Sequence, residues 1–459
     1  MLGRKSAEKK YEMDMCNGPI LKKMLIFVIP LMFSSVLQLL FNAADIIVVG
    51  RFAGDNSMGA VGSTSALINL LVNLFIGLSI GANVLTARYF GAKQIKDLQE
   101  TVHTAMMISV ISGVVLAIVG FFGAPVILQW MDTPDTVIEL STIYLRIYFL
   151  GMPAMMIYNF GASILRAVGD TKRPLYFLIT AGMINVVLNL LFVIVFKMDV
   201  AGVALATTIS QCVSAILVIR CLLREQSDIR LDVKKLRVHR DKMIKIFQIG
   251  LPAGFQGILF SLSNVVIQKS INSFGDIVVT GNSAAANIEG FVYVSMNSFY
   301  QGTISFTSQN YGAGKYERIN RILLTALACV IVVGVVFGNT VVFFGEPLLK
   351  IYSNNPAVIE AGLLRIKYIC SIYALCGMMD VMVGSLRGLG YSVIPMIVSL
   401  IGACALRIIF LMTLFNLEQF HKIEMVYLTY PISWTLTFMA HVVTFIIVKK
   451  KINKQVKMA

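Results

Sequence analysis

The sequence predicts an all-α, polytopic membrane protein whose twelve transmembrane helices form two parallel six-helix repeats. Three observations predict it. The 459 residues are 57% hydrophobic and only 14% charged, with a mean hydropathy of +0.79, whereas a soluble chain carries about 25% charged residues. Apolar runs of about 20 residues, each long enough to cross roughly 30 Å of hydrocarbon as a helix, recur from Met24 to Val448. Motifs of the first half return in the second at a nearly constant offset.

In order, the runs cover residues 24–49, 58–87, 101–124, 137–165, 174–196 and 201–222, then 244–272, 277–308, 321–345, 357–386, 394–416 and 425–448. The first follows a basic N-terminal stretch. It lacks a short apolar core followed by a small-residue cleavage site, so it is expected to stay in the protein as the membrane signal. The second and eighth runs end in the motif Gly-x4-Thr-x4-Gly-Ala, at Gly81-Thr86-Gly91-Ala92 and Gly302-Thr307-Gly312-Ala313. Val137-Ile138-Glu139 opens the fourth run and returns as Val358-Ile359-Glu360 near the start of the tenth. The turn from the fourth run to the fifth, Leu165-Arg166-x-x-Gly169-x4-Pro174, returns between the tenth and eleventh as Leu386-Arg387-x-x-Gly390-x4-Pro395. These pairs are 221 residues apart, and near the front Pro30 and Asn42 match Pro252 and Asn264 at an offset of 222, a difference of one indel.

An offset of six spans is even, so the two copies enter the membrane from the same side and are parallel repeats. The predicted organisation is a six-helix lobe over 1–222, a basic connector over 223–243, and a second six-helix lobe with a basic tail over 244–459. Of the 39 Lys and Arg, 30 fall in the tails and even-numbered loops, 8 on or near the odd-numbered loops and one within a span. The positive-inside rule therefore places both termini in the cytoplasm. The net charge of +15 resides largely at these span ends, where basic groups set topology and meet anionic lipid. No nucleic-acid-binding signature accompanies it, so membrane lipid is an expected partner and nucleic acid is not.

The chain carries no sign of enzyme chemistry, and no cofactor is expected. No GxxxxGK[ST] loop is present for ATP hydrolysis, and His103, His239, His421 and His441 form no metal-ligand spacing. The seven cysteines include no CxxC and read as small buried hydrophobes, pointing to neither a disulfide framework nor zinc. Two parallel lobes around a cavity describe a transporter that opens alternately to either side, driven by an ion gradient; a channel, which more often assembles several copies around a pore, is the lesser alternative.

Once loops and span ends are set aside, four ionisable groups remain inside spans: Asp45, Glu289, Asp380 and Arg407. Such groups are costly in hydrocarbon and are functional candidates when they face the protein interior. Gln38 and Asn42, seven and three residues before Asp45, share its helix face, and Asn185 and Asn189 lie one turn apart in the fifth run. Together they predict a first-lobe pocket whose carboxylate loads and releases H⁺ or Na⁺; amides alone also serve as glue between helices. Glu289, Tyr293, Asn297 and Gln301 recur every four residues and give the second lobe a polar face. With Asp380 and Arg407 close in span order, an internal ion pair is expected, Glu289 with Arg407 being the candidate, either as a cation site or as a structural lock. Pro30 lacks a backbone N–H fifteen residues before Asp45 and is the expected bend in that helix.

The chain resembles the multidrug and toxic compound extrusion (MATE) family over essentially all twelve spans. The resemblance rests on Pro30 with Asn42-x-x-Asp45-x4-Gly50, on Leu165-Arg166-Ala167-x-Gly169-Asp170-Thr171-Lys172-x-Pro174, and on Asn185-x-x-Leu188-Asn189 leading to Ala206-Thr207. In the second half it rests on Gln309-Asn310-x-Gly312-Ala313-Gly314 and Leu386-Arg387-Gly388-x-Gly390. It implies a bacterial inner-membrane antiporter that exports amphipathic organic cations, drugs or metabolites in exchange for H⁺ or Na⁺; a monomer is the expected state. It implies that Asp45 is the coupling carboxylate, that Asn185, Asn189 and Thr207 line its pocket, and that helix 1 bends at Pro30. Two departures bear on the ion. Relatives often carry aspartate where this chain has Asn189, and another branch has a glutamate in helix 7, where this chain offers neutral groups such as Gln256, Ser261 and Ser263; Gln256 and Asn264 are candidates for the pocket. One carboxylate among amides suits H⁺ better than a multi-oxygen Na⁺ cage, and the coupling ion stays open between the two. The 28 Phe, 16 Tyr and 24 Met fit an adaptable, greasy cavity as well as lipid-facing surface. The alternative, a lipid-linked saccharide flippase, calls for a cavity crowded with Arg and Lys, of which the sequence places only Arg407 deep in a span.

Overall fold

The computed structural model describes residues 11–131 and 133–458; the basic residues of the first ten positions lie outside them. The helices are α1 (Ile20–Phe52), α2 (Asp55–Gly91), α3 (Ile95–Trp130), α4 (Asp135–Leu150), α5 (Met152–Ala167), α6 (Lys172–Leu190), α7 (Asp199–Arg224) and α8 (Arg240–Asn272). They continue with α9 (Asp276–Gly312), α10 (Tyr316–Phe343), α11 (Gly345–Lys350), α12 (Pro356–Ile369), α13 (Ala374–Gly388), α14 (Val393–Ser399), α15 (Leu406–Met412) and α16 (Ile423–Met458). A π-helical stretch, Leu191–Val195, extends α6, and another, Leu400–Ala405, joins α14 to α15.

Nine described helices are long and apolar enough to cross a membrane, and counting each of two bent helix pairs as one span brings the number to eleven. The twelfth is α9, whose 37 residues include Asn282, Glu289, Asn297 and Gln301 and so lower its apolar character. The fold is the predicted all-α, twelve-span bundle. Two spans differ from the continuous helices that the sequence suggests. The span over 137–165 breaks between α4 and α5 with a bend of 46°, where Gly151 precedes Pro153 in the first turn of α5. The span over 357–386 breaks between α12 and α13 with a bend of 47°, at the 3₁₀ turn Cys370–Ile372. The breaks fall at corresponding places in the two repeats. Each is braced by a glycine: a Cβ on Gly113 would strike the backbone of Pro153, and one on Gly334 would strike that of Ala374.

The repeated Leu-Arg-x-x-Gly motif is a helix stop. Gly169 and Gly390 have φ of +96° and +94°, a left-handed conformation that glycine adopts without steric cost. The N–H of Gly169 donates to the Arg166 carbonyl and that of Asp170 to the Leu165 carbonyl, at 3.0 Å each. The Gly390–Arg387 and Tyr391–Leu386 bonds repeat the pattern at 2.8 and 3.0 Å, closing α5 and α13 as Schellman motifs. Asp170 then accepts the N–H groups of Lys172 and Arg173 at 3.1 Å each, starting α6, while Arg173 Nη1 reaches Glu225 at the end of α7 at 2.7 Å. This fixes α6 against α7, the pair that carries Asn185, Asn189 and Thr207.

The described chain forms two compact units. Of the described residues, the first holds 11–19, 25–131, 133–254 and 308–314, and the second holds 20–24, 255–307 and 315–458. In the first, the connector between α7 and α8 is not a loose linker. The Asp232 N–H donates to His103 Nε2 at 3.1 Å and the His239 N–H to Thr104 Oγ1 at 3.0 Å, so the connector lies along α3. The core beneath the α6–α7 pair is built from Tyr144, Phe149, Met152, Val193, Val200 and Val203, among others.

Candidate functional site

Three helices of the first unit bring four side chains into one hydrogen-bonded ring. From α6, Asn189 Nδ2 donates to Asp45 Oδ1 on α1, and to Asn185 Oδ1 at 3.3 Å. Asn185 Nδ2 donates to Thr207 Oγ1 on α7 at 3.3 Å, and Thr207 Oγ1 donates to Asp45 Oδ2 at 3.4 Å. Asn189 is fully buried, and its Oδ1 is buried without a hydrogen-bond partner. The α1–α6 approach that permits this needs a small residue, because a Cβ on Gly182 would overlap the Phe41 ring. The π-helical turn begins two residues beyond Asn189; such turns are frequent at functional sites.

Gln38 and Asn42, on the face expected for Asp45, are exposed, and neither bonds to it among the described residues. Pro30 lies inside a continuous α1, its carbonyl accepting the Ser34 hydroxyl at 2.9 Å.

In the second unit the ion pair has a different basic partner from the one expected. Glu289 Oε2 accepts Nε and Nη2 of Arg365 at 3.0 and 2.8 Å, both residues being buried, and Arg365 Nη1 donates to Asn282 Oδ1 at 2.8 Å. Tyr427 and Tyr430 flank that guanidinium with their rings. Arg407 instead donates from Nε to Ser433 Oγ at 2.7 Å and stacks on Tyr430. The physical reason is rotational: the side of α12 that bears Arg365 packs toward α9 and α16, and span order carries no information about that rotation.

Arg365 and Arg387, read from sequence as groups near span ends, are 6% and 4% exposed. Arg387 donates to the Tyr300 hydroxyl and, at 2.8 Å, to Gln256 Oε1, which gives Gln256 its place in the second unit. Asp380 has no hydrogen-bond partner among the described residues; the opposing charge that acts on it is Arg387, on its own helix. Tyr293, Asn297 and Gln301 form the expected ladder along α9, at 3.5 and 3.4 Å. Asn264 is exposed. One signal could have found Arg365: it is a basic residue on the side of the membrane where this chain carries few, a placement that calls for a partner.

Outside the spans, Glu100, His239 and Asp241 could by spacing hold a metal ion. Lys242 Nζ lies 2.9 Å from Asp241 and 3.8 Å from Glu100, so an ammonium group already supplies the positive charge. That contact holds the Asp241 carboxyl below its ordinary range.

The family model described as MatE matches residues 30–191 and 252–413, one copy in each repeat. The chain is 26% identical to the Probable multidrug resistance protein YpnP of Bacillus subtilis over 394 residues, covering 86% of this chain and 88% of that one. It is 22% identical to the Multidrug export protein MepA of Staphylococcus saprophyticus over 375 residues, covering 82% and 83%. Among solved structures, MATE in complex with MaL6 superposes with a TM-score of 0.90 at 19% identity, covering 96% of this chain and 98% of that one. A MOP superfamily transporter from Pyrococcus furiosus superposes with a TM-score of 0.89 at 19% identity, covering 95% and 97%. Two repeats that match one family model over most of their length, in a bundle of this fold, place the chain in the MatE family, the multidrug and toxic compound extrusion transporters.

Proposed function

We propose that the chain is a secondary active multidrug efflux transporter that exports organic cations or amphipathic drugs and metabolites by alternating access, in exchange for H⁺ or Na⁺. Its setting is a bacterial inner membrane, with both termini cytoplasmic, and it acts as a monomer without a cofactor. The observation that carries the reading is the ring of Asp45, Asn185, Asn189 and Thr207. A carboxylate held by amide and hydroxyl donors is stable while empty, and each of those neighbours can also offer an oxygen. Rotation of the Asn189 amide turns its unpartnered Oδ1 toward Asp45. That oxygen can then accept a proton carried by the carboxyl, or join Thr207 Oγ1 around Na⁺. Cation entry thus exchanges the donors that hold α1 to α6 and α7, and this couples the ion to the position of α1, with Pro30 as the bend.

In the second unit the charge of Glu289 is already met by Arg365, so Asp380 is the second candidate for coupling. The relatives named for multidrug resistance and export support the substrate class. The test is efflux of a fluorescent cationic dye from proteoliposomes under an imposed pH or Na⁺ gradient, comparing wild type with Asp45→Asn. The reading expects gradient-driven efflux that the substitution abolishes, and the effective gradient names the ion. Unchanged efflux in the variant moves coupling to Asp380, and flux that ignores both gradients overturns antiport.

A further inference from the structure

The second unit buries three arginines, Arg365, Arg387 and Arg407, against two carboxylates in its spans, Glu289 and Asp380. Glu289 takes Arg365, and the opposing charge that acts on Asp380 is Arg387. Arg407 is left over. It is 4% exposed, and no carboxylate lies within ion-pair distance of it among the described residues. Its titratable neighbours are Tyr373, Cys376, Cys404 and Tyr430, none of them a carboxylate. Nε is bonded to Ser433, but Nη2 is buried without an acceptor. The planar group rests on the Tyr430 ring, 4.2 Å from its centroid, with the Trp434 ring 5.7 Å away. A buried guanidinium with half of its fork unmatched is costly, and the fork is shaped for two parallel bonds to a carboxylate.

The internal repeat says which position this is. The offset between copies is 221 through Pro174 and Pro395, and the π-helical stretch Leu400–Ala405 then accommodates one additional residue. Beyond it the offset becomes 222, so that Arg407 is the counterpart of Asn185. The two make corresponding bonds: each donates to a hydroxyl on the last helix of its repeat, Thr207 for Asn185 and Ser433 for Arg407. At the same offset the counterpart of Asp45 is Ile267, which is buried. Where the first repeat presents a carboxylate to a mobile cation, the second has an apolar residue and a fixed cation.

We infer that Arg407, with the rings of Tyr430 and Trp434, forms a subsite for the carboxylate of an aromatic substrate, and is the residue of this chain that distinguishes an acid from its neutral ester. The carboxylate accepts Nη1 and Nη2 of Arg407 while the aromatic part of the substrate packs beside the rings. This rests on the efflux reading above and assigns a specificity residue within it.

The test uses a matched pair of dyes that differ only in this group: rhodamine 110, which has a free benzoate, and rhodamine 123, its methyl ester. Binding to the purified full-length protein in detergent is followed by fluorescence anisotropy for wild type, Arg407→Gln and Arg407→Lys. Wild type is expected to bind both. Arg407→Gln should weaken the acid by about tenfold or more, the worth of a hydrogen bond to a charged group, and leave the ester nearly unchanged. Arg407→Lys, which keeps the charge but loses the fork, should fall between. It carries the test alone if the Gln variant gives no monodisperse peak. Equal losses for both dyes would mean that Arg407 only props the helices. Unchanged affinity for the acid, or a wild type that does not bind it, overturns the subsite. Acid binding that depends on Arg407, in a protein that moves neither dye under any gradient, would retain the subsite and overturn the efflux reading.

Discussion

Removing either partner of the Glu289–Arg365 pair should destabilise the protein far more than removing both. Two bonds of 3.0 and 2.8 Å end on one carboxylate oxygen, and the side chains are only 10% and 8% exposed. In Glu289→Gln the guanidinium stays buried between Tyr427 and Tyr430 with a neutral amide and Asn282 for company. An uncompensated buried charge of this kind costs about 3–5 kcal/mol. Arg365→Met leaves the carboxylate in the same position and should cost about as much. The double variant Glu289→Gln/Arg365→Met removes both charges at similar volume and should return to within about 1–2 kcal/mol of wild type, a large favourable coupling in the cycle. The assay is unfolding in mixed micelles with increasing sodium dodecyl sulfate, read by fluorescence. Of the two tryptophans, Trp434 is 4% exposed and packs on Tyr373 and Tyr430, so it reports on the second unit. A single variant that costs less than about 1 kcal/mol, or a double variant as unstable as the sum of the singles, would refute the lock. The same double variant should keep its gradient-driven dye efflux, since neither residue then serves as a carrier of the coupling ion.

Two further outcomes are expected. Asn189→Asp places a second carboxylate against Asp45, a charge that a bound cation offsets, so the half-maximal Na⁺ concentration for protection of the protein against thermal aggregation should fall; no change would show that Asn189 does not face the ion. Gly77→Ala directs a methyl group into the backbone of Gly254 where α2 crosses α8, and overpacking of this kind should cost about 1–3 kcal/mol in the same micelle assay, whereas wild-type stability would refute the backbone contact.

Much of the architecture was legible in the residues because its causes are local. Hydropathy over a window reports whether a helix can sit in hydrocarbon, and the same stop motif, Leu-Arg-x-x-Gly, marks the same turn in both halves because only its glycine adopts the left-handed backbone without cost. The π-helical stretch at Leu400–Ala405 was not legible, since it changes no hydropathy; it shows only as a one-residue shift of the repeat. The bends at Gly151 and Cys370 were missed for the same reason, each lying in an unbroken apolar run.

The site divides along the same line. The candidates Asp45, Asn185 and Asn189 could be picked out by residue type, because a carboxylate or a turn-spaced pair of amides in hydrocarbon must find partners somewhere in the protein. The partners themselves belong to other helices. That Thr207 closes the ring on Asp45 while Gln38 and Asn42 stay outside it, and that Glu289 takes Arg365 rather than Arg407, depends on how far each helix is rotated about its axis and how high it sits against its neighbours. The sequence by itself determined the spans, the repeat and the set of groups that need partners, because each of these depends on the chemistry of one segment. Which group meets which was decided only by the tertiary structure, because rotation and register are set jointly by all the faces packed against a helix.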